Sequence, residues 1–161
     1  MEESALFLKF FEREGPATRK VIERVPEGRS DYRPDPRSRT ARELAWLIVH
    51  EEIFLADGLE RGAFDWVEQE PPATMADILA VYDAHHDGLL RRLKAIPADQ
   101  WARKFPFSVQ GQVVMNESGY DNGWMTIFDQ VHHRGQLSTY LRPMGAKVPQ
   151  IYGPSADEPM M

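Results

Sequence analysis

The sequence predicts an all-α fold, a four-helix bundle with long inter-helix loops, and three observations carry that prediction. Four long segments repeat apolar residues at helical spacing: Ala5 to about Val25, Thr40 to about Leu59, Thr74 to about Ile96, and near Asn122 to Arg142. Strand signals are few and confined to one stretch, Phe105 to Glu117. Pro, Gly and hydroxyl residues punctuate the four segments where helices start and stop. At 161 residues the chain is long enough for one domain, residues 1–161, with a sizeable core.

The first helix carries Leu6, Phe10, Val21 and Val25 among its apolar positions, and Gly15-Pro16 either kinks it or divides it in two. Pro26-Glu27-Gly28 stops it, and Arg29 to Arg39 follows as a polar surface loop with Pro34 and Pro36. Thr40-Ala41-Arg42-Glu43 has the spacing in which a hydroxyl and a carboxylate satisfy each other's backbone N–H, so the second helix opens there. Leu44, Leu47, Ile48, Phe54 and Leu55 form its apolar face, with Glu51 in the middle of that face and His50 at its edge beside Trp46 and Ile53. A carboxylate on an apolar stripe is costly unless it is paired, protonated or metal-bound.

Gly62 to Pro72 is expected as a loop containing Phe64 and Trp66. Thr74 caps the third helix, whose core face is Ile78, Leu79, Tyr82, Leu89, Leu90 and Leu93. His85 and His86 are neighbours on it and cannot share a face, so both are expected mostly exposed. Pro97 to Trp101 forms a turn or short helix. The connection from Phe105 to Glu117, with some strand character, packs over the bundle and is placed to shape a pocket.

The fourth helix holds the chemistry. Asp129, His133, Gln136 and Tyr140 fall along one side, and the i,i+4 pair Asp129/His133 can aim a carboxylate and an imidazole at one point. With His50 or Glu51 from the second helix, that pair would make an oxygen–nitrogen donor set for Zn²⁺, Ni²⁺, Fe²⁺ or Mn²⁺. Without a metal, the same residues would form a structural hydrogen bond between helices. Gln136 and Tyr140 are placed either to orient the pair or simply to pack. His132 points away from His133, and Arg134 is placed to pair with an acidic group elsewhere. Trp124, Phe128, Val131 and Gly135 lie roughly opposite, as a bundle seam or a homodimer contact.

Composition narrows the function. The apolar and charged shares, 42% and 27%, are those of an ordinary globular protein, and the net charge of −6 without a basic stripe argues against a nucleic-acid partner. There is no cysteine, hence no disulfide, thiolate ligand or cysteine nucleophile within the chain. The start has no signal-peptide pattern and no apolar run approaches a membrane span, so a cytoplasmic protein without membrane contact is expected.

The segment His132-His133-Arg134-Gly135-Gln136-Leu137-Ser138-Thr139-Tyr140-Leu141-Arg142-Pro143-Met144-Gly145, continuing through Val148-Pro149-Gln150-Ile151-Tyr152-Gly153-Pro154-Ser155-Ala156-Asp157, resembles the C-terminal signature of the DinB-like (DinB/YfiT) proteins. Thr40, Glu43 and Leu44 at a helix start, and Glu12-Arg13-Glu14-Gly15-Pro16, agree with that family in outline. The resemblance implies a four-helix bundle, often dimeric. It further implies a divalent metal, zinc or nickel, on three histidines, one on the second helix and two on the fourth. The later of those two matches His133; its partner matches Asp129, and the second-helix ligand falls near Leu47, with His50 and Glu51 a turn further on. By that resemblance the protein would be a thiol-dependent S-transferase or related metal-assisted enzyme using a low-molecular-weight thiol. The alternative is a non-catalytic, stress-linked small-molecule-binding or dimeric interaction protein with a degenerate metal site. No catalytic triad is legible, and Ser138 and Thr139 have no evident activating group.

Overall fold

The computed structural model describes residues 2–160. Helix α1 spans Glu3–Glu23 without a break, passing through Pro16. The Tyr82 hydroxyl of the third helix donates to the Gly15 carbonyl at 2.9 Å beside that proline. Its buried stripe is Phe7, Phe11, Gly15, Thr18, Val21 and Ile22. Leu6 and Phe10, expected on that face, are instead 37% and 36% exposed. One position decides this: from Phe7 and Phe11 the i,i+4 stripe runs on to small Gly15, whereas from Leu6 and Phe10 it runs on to Arg13 and Glu14.

Helix α2 spans Ala41–Arg61 and starts as expected. The Glu43 N–H donates to Thr40 Oγ1 at 3.1 Å, and the Thr40 N–H donates to the Glu43 carboxylate at 2.7 Å. Gly62, at φ 77°, ends it in the left-handed region where glycine carries no steric penalty. Strand β1 (Phe64–Trp66) follows where a loop was expected. Helix α3 (Met75–Ala95) and the short α4 (Ala98–Ala102) lead into β2 (Lys104–Val109) and β3 (Gln112–Ser118). Helix α5 runs Gly119–Leu141, capped by the Ser118 side chain, and so begins three residues before the expected Asn122.

The three strands form one sheet in the order β1-β2-β3, parallel between β1 and β2 and antiparallel between β2 and β3. Phe64 pairs with Phe107, Trp66 with Val109 and Phe107 with Met115. Paired residues share a face, so all five side chains lie on one side of the sheet. That side is turned to α2: Phe54 packs its ring against Phe64, Trp66 and Phe107 at 5.4, 5.1 and 5.4 Å. The four-helix bundle is thus present as expected, with a small sheet laid over one end.

The buried apolar residues form two clusters. One joins Val21, Ile22, Leu44, Ile48, Ile78, Tyr82, Leu137 and Leu141. The other joins Phe7, Phe11, Leu55, Leu59, Phe64, Leu93, Trp101 and Phe105. Helix α2 threads both, and the buried carboxylates Glu51 and Glu52 sit on it between Ile48 and Leu55. Glu52 meets His86: His86 Nδ1 lies 2.8 Å from Glu52 Oε2. The His86 ring stacks on Phe11 and Tyr82, with centroids 5.4 and 4.9 Å apart. His86 is therefore a half-buried core histidine and departs from the expected exposure, while His85 is exposed. The cause lies outside the helix, since only packing against α1 and α2 gives His86 its partners.

Gly58 of α2 is needed where the helix meets β1, because a Cβ there would overlap the Phe64 ring. Gly58→Ala is expected to lower stability by about 1–2 kcal/mol despite alanine's better helix propensity, read as a reduced midpoint in urea unfolding.

Candidate metal centre

The site forms where α2 faces α5. Leu44, Leu47, Ile48 and Leu55 turn one face of α2 inward, and Glu51 goes with them, 6% exposed. On α5, Asp129 and His133 stand one turn apart on the side toward α2. His133 Nε2 lies 3.3 Å from Asp129 Oδ1 and 3.5 Å from Glu51 Oε1. One ligand atom from each of Glu51, Asp129 and His133 falls within 4.8 Å of the others. They span a gradient of burial: Glu51 is buried, His133 half-buried and Asp129 exposed.

Two features fit a cation to this set. Glu51 Oε2 is buried and has no hydrogen-bond partner. An orphaned carboxylate oxygen in such a position loses its hydration without replacement. Burial, reinforced by the Asp129 carboxylate, pushes Glu51 up to about 9, so with no added positive charge it holds a proton at neutral pH. Two carboxylates and one imidazole nitrogen suit Zn²⁺, Ni²⁺, Fe²⁺ or Mn²⁺.

The imidazole is also oriented for the role. His133 Nδ1–H donates to Gln136 Oε1 at 3.1 Å, which turns Nε2 toward Glu51 and Asp129. The Gln136 amide in turn donates to His132 Nε2 at 2.9 Å. Gln136 therefore has the orienting position; Tyr140 instead packs edge-on to Tyr32 and reaches the Arg39 carbonyl at 3.5 Å. Between the helices, the Gln130 amide donates to the Ile48 carbonyl at 3.1 Å, just before Glu51 in α2.

Of the two second-helix candidates, the structure brings Glu51 to the pair and places His50 elsewhere. The His50 ring lies parallel to Trp46 at 6.0 Å and tilted against Trp66 at 4.8 Å, and burial holds its pKa down. Neighbouring residues on a helix diverge by about 100°, so an inward Glu51 puts His50 around the side. Leu47, one turn before Glu51, faces the same cavity as the triad.

That cavity, about 710 Å³, opens beside the triad. Its walls are the apolar side of the sheet and the Met125–Phe128 turn of α5, with Arg39 at its edge. Phe107, Val109 and Met115 of this wall come from the Phe105–Glu117 connection that the sequence placed to shape a pocket, whereas Arg39, Phe64 and Trp66 are not legible in the sequence as site residues. Alternation of Phe64 and Trp66, and of Phe105 and Phe107, is the signal that could have revealed the wall; Arg39 has none.

Residues 1–160 match the family model described as "DinB family". The uncharacterised protein YrdA of Bacillus subtilis (strain 168) is 26% identical over 155 residues, 94% of this chain and 89% of that protein. The crystal structure of a DinB-like protein from Bacillus subtilis, YjoA, superposes with a TM-score of 0.71 at 19% identity, covering 91% of this chain and 97% of that one. A DinB-like protein from Bacillus cereus ATCC 10987 gives 0.75, also at 19% identity, over 91% and 95%. The mycothiol-dependent maleylpyruvate isomerase gives 0.51 at 12% identity over 92% of this chain and 65% of that one, a likeness of fold.

Proposed function

The chain belongs to the DinB family, and from that premise we propose that it binds one divalent metal, zinc or nickel, on Glu51, Asp129 and His133. The observation that carries this is the buried, unpartnered Glu51 Oε2 beside Asp129 and the Nε2 face of His133. A divalent ion held there would supply Lewis acidity, which lowers the pKa of a thiol that reaches it. The reaction we assign is thiol transfer or a thiol-dependent isomerisation. The chain has no cysteine, so the thiol comes from a low-molecular-weight partner. The fold likeness to a mycothiol-dependent isomerase supports that class.

The chain's own residues have separable tasks in this scheme. Gln136 fixes which His133 nitrogen faces the cavity. Asp129, exposed, stands on the solvent side and Glu51, buried, on the core side. Phe54, Phe64 and Phe107 exclude water from the cavity floor, which strengthens every charge interaction above it. The reading extends to a homodimer, for which the exposed Leu6 and Phe10 of α1 offer apolar surface.

Elemental analysis of the purified protein is expected to give about one zinc or nickel per chain, with most of it lost in His133→Ala and kept in His132→Ala. Cobalt-substituted protein should gain a thiolate charge-transfer band on addition of a small thiol. No metal after incubation with Zn²⁺ and Ni²⁺, or equal loss from both histidine variants, would overturn the assignment. Among the described residues no helix is long and apolar enough to cross a membrane.

A further inference from the structure

The cavity beside the triad is built for more than a small thiol. Three side chains that are unusual at a surface, Met115, Met125 and Phe128, are 36%, 38% and 66% exposed, and all three line this cavity. Apolar side chains exposed together around one concavity mark a ligand site, since an occupant with an apolar body would remove them from water at once. Met115 belongs to the sheet and Met125 and Phe128 to α5, so the occupant would lie between two apolar walls. Methionine's flexible thioether adapts to the shape of such a body.

The polar lining decides what the occupant carries. Arg39 is the only cationic side chain among the described lining residues. Its partner, Glu68, is not among the residues lining this cavity, and the two side chains are 42% and 58% exposed. A solvent-screened pair of that kind contributes at most about 1 kcal/mol, so a second carboxylate can share or replace Glu68. With a divalent cation in the triad, the Glu51 and Asp129 charges are offset, and Arg39, held only by its exposed pair with Glu68, is the cationic donor that lines the cavity. An ammonium would be repelled there and a neutral group would leave the guanidinium unused; a carboxylate matches its planar fork of donors.

Resting on the metal-site reading above, we propose that the cavity takes an apolar-bodied monocarboxylate, its carboxylate on Arg39 and its body between Met115 on the sheet and Phe128 on α5.

The probes are 4-phenylbutyrate, 4-phenylbutan-1-ol and 4-phenylbutylammonium, titrated calorimetrically into zinc-loaded full-length protein. The acid is expected to bind at least tenfold more tightly than the other two. Arg39→Met should bring the acid down to the affinity of the alcohol, and Arg39→Lys should restore part of the difference. Phe107→Ala should weaken acid and alcohol alike and leave their ratio unchanged. Thermal melts of each variant check that it is folded. Equal binding of acid and alcohol, or a preference that survives Arg39→Met, would overturn the proposal. A preference kept in Arg39→Met but lost in zinc-free Glu51→Gln would put the carboxylate on the ion and overturn the role of Arg39. Zinc measured on the same samples separates the two readings. Loaded protein without acid preference refutes the ligand class alone, whereas protein that takes up no zinc refutes the metal centre and leaves the Arg39 comparison to decide the ligand.

Discussion

Glu51→Gln is expected to weaken metal binding by more than about 100-fold, since even residues that merely orient a ligand account for 10- to 100-fold, and at the same time to make the metal-free protein more stable in alkaline solution. Both effects come from one carboxylate. Folding raises Glu51 from its ordinary 4.5 to about 9, through burial first and the Asp129 charge second. Between those pH values the folded chain holds a proton that the unfolded chain releases. The stability contribution is therefore complete below the unfolded pKa of 4.5 and is lost as pH rises toward 9. In metal-free wild type the loss should approach about 1.4 kcal/mol per pH unit. Glutamine cannot ionise, so the variant should lack that slope.

Other groups titrate in the same range. His86, for which desolvation is outweighed by its bond to Glu52, has a raised pKa and also loses its contribution as pH rises. The informative quantity is therefore the difference between wild type and Glu51→Gln, measured by urea unfolding from pH 5 to 9 in chelator. Metal binding should reverse the sign for wild type. A cation displaces the Glu51 proton, so about one proton should be released per metal bound at pH 7 and almost none at pH 10, read calorimetrically in buffers of different ionisation enthalpy. Parallel stability curves for the two proteins would mean that Glu51 is ionised and paired without metal.

The starts of α2 and α3 are legible in the sequence because their caps are local: Thr40 with Glu43, and Thr74 with Asp77, lie within one turn. So is the Asp129/His133 pair, which one helix creates by spacing alone. What requires a partner element is not legible. The choice between His50 and Glu51 depends on how α2 is rotated against α5, and that rotation is set by Leu44, Ile48 and Leu55 packing on distant residues. Strand β1 has three residues and a partner some forty positions away, so its alternation is too short to read as a strand. Arg39 sits in a polar loop that looks like any other surface loop until the sheet is laid beside it. The expected opposite face of α5 is divided in the structure: Phe128 and Gly135 are exposed, while Trp124 and Val131 are partly buried against the second core cluster.

Arg134→Met should be the most destabilising single change outside the apolar core, by roughly 3–5 kcal/mol, because it breaks a buried ion pair from one side only. The side chain is 2% exposed. Its guanidinium donates to Glu14 Oε2 at 2.7 Å, to Tyr152 Oη at 2.6 Å and to Thr18 Oγ1 at 3.1 Å. Tyr152 Oη–H in turn donates to Glu14 Oε2 at 2.7 Å, and the guanidinium lies over the Tyr152 ring at 5.1 Å. One arginine thus ties α5, α1 and the C-terminal tail together, which answers the sequence-based expectation that Arg134 pairs with a distant acid. The variant leaves Glu14 half-desolvated without a counter-charge, so its melting temperature should fall by about 10 °C, and the tail should become open to limited proteolysis. Tyr152→Phe removes only the two hydroxyl contacts and should cost about 1–2 kcal/mol. Replacing both charges, Arg134→Met with Glu14→Met, should recover much of the loss, because no unpaired charge remains. The same clamp bears on the site. Arg134 follows His133 on α5, so holding its guanidinium against α1 fixes the rotation at which Asp129 and His133 face Glu51. Arg134→Met, assayed well below its melting temperature, should therefore bind zinc about tenfold more weakly although it touches no ligand. Unchanged zinc affinity in a folded Arg134→Met protein would mean that α2 packing and the Gln130–Ile48 bond hold that rotation without it.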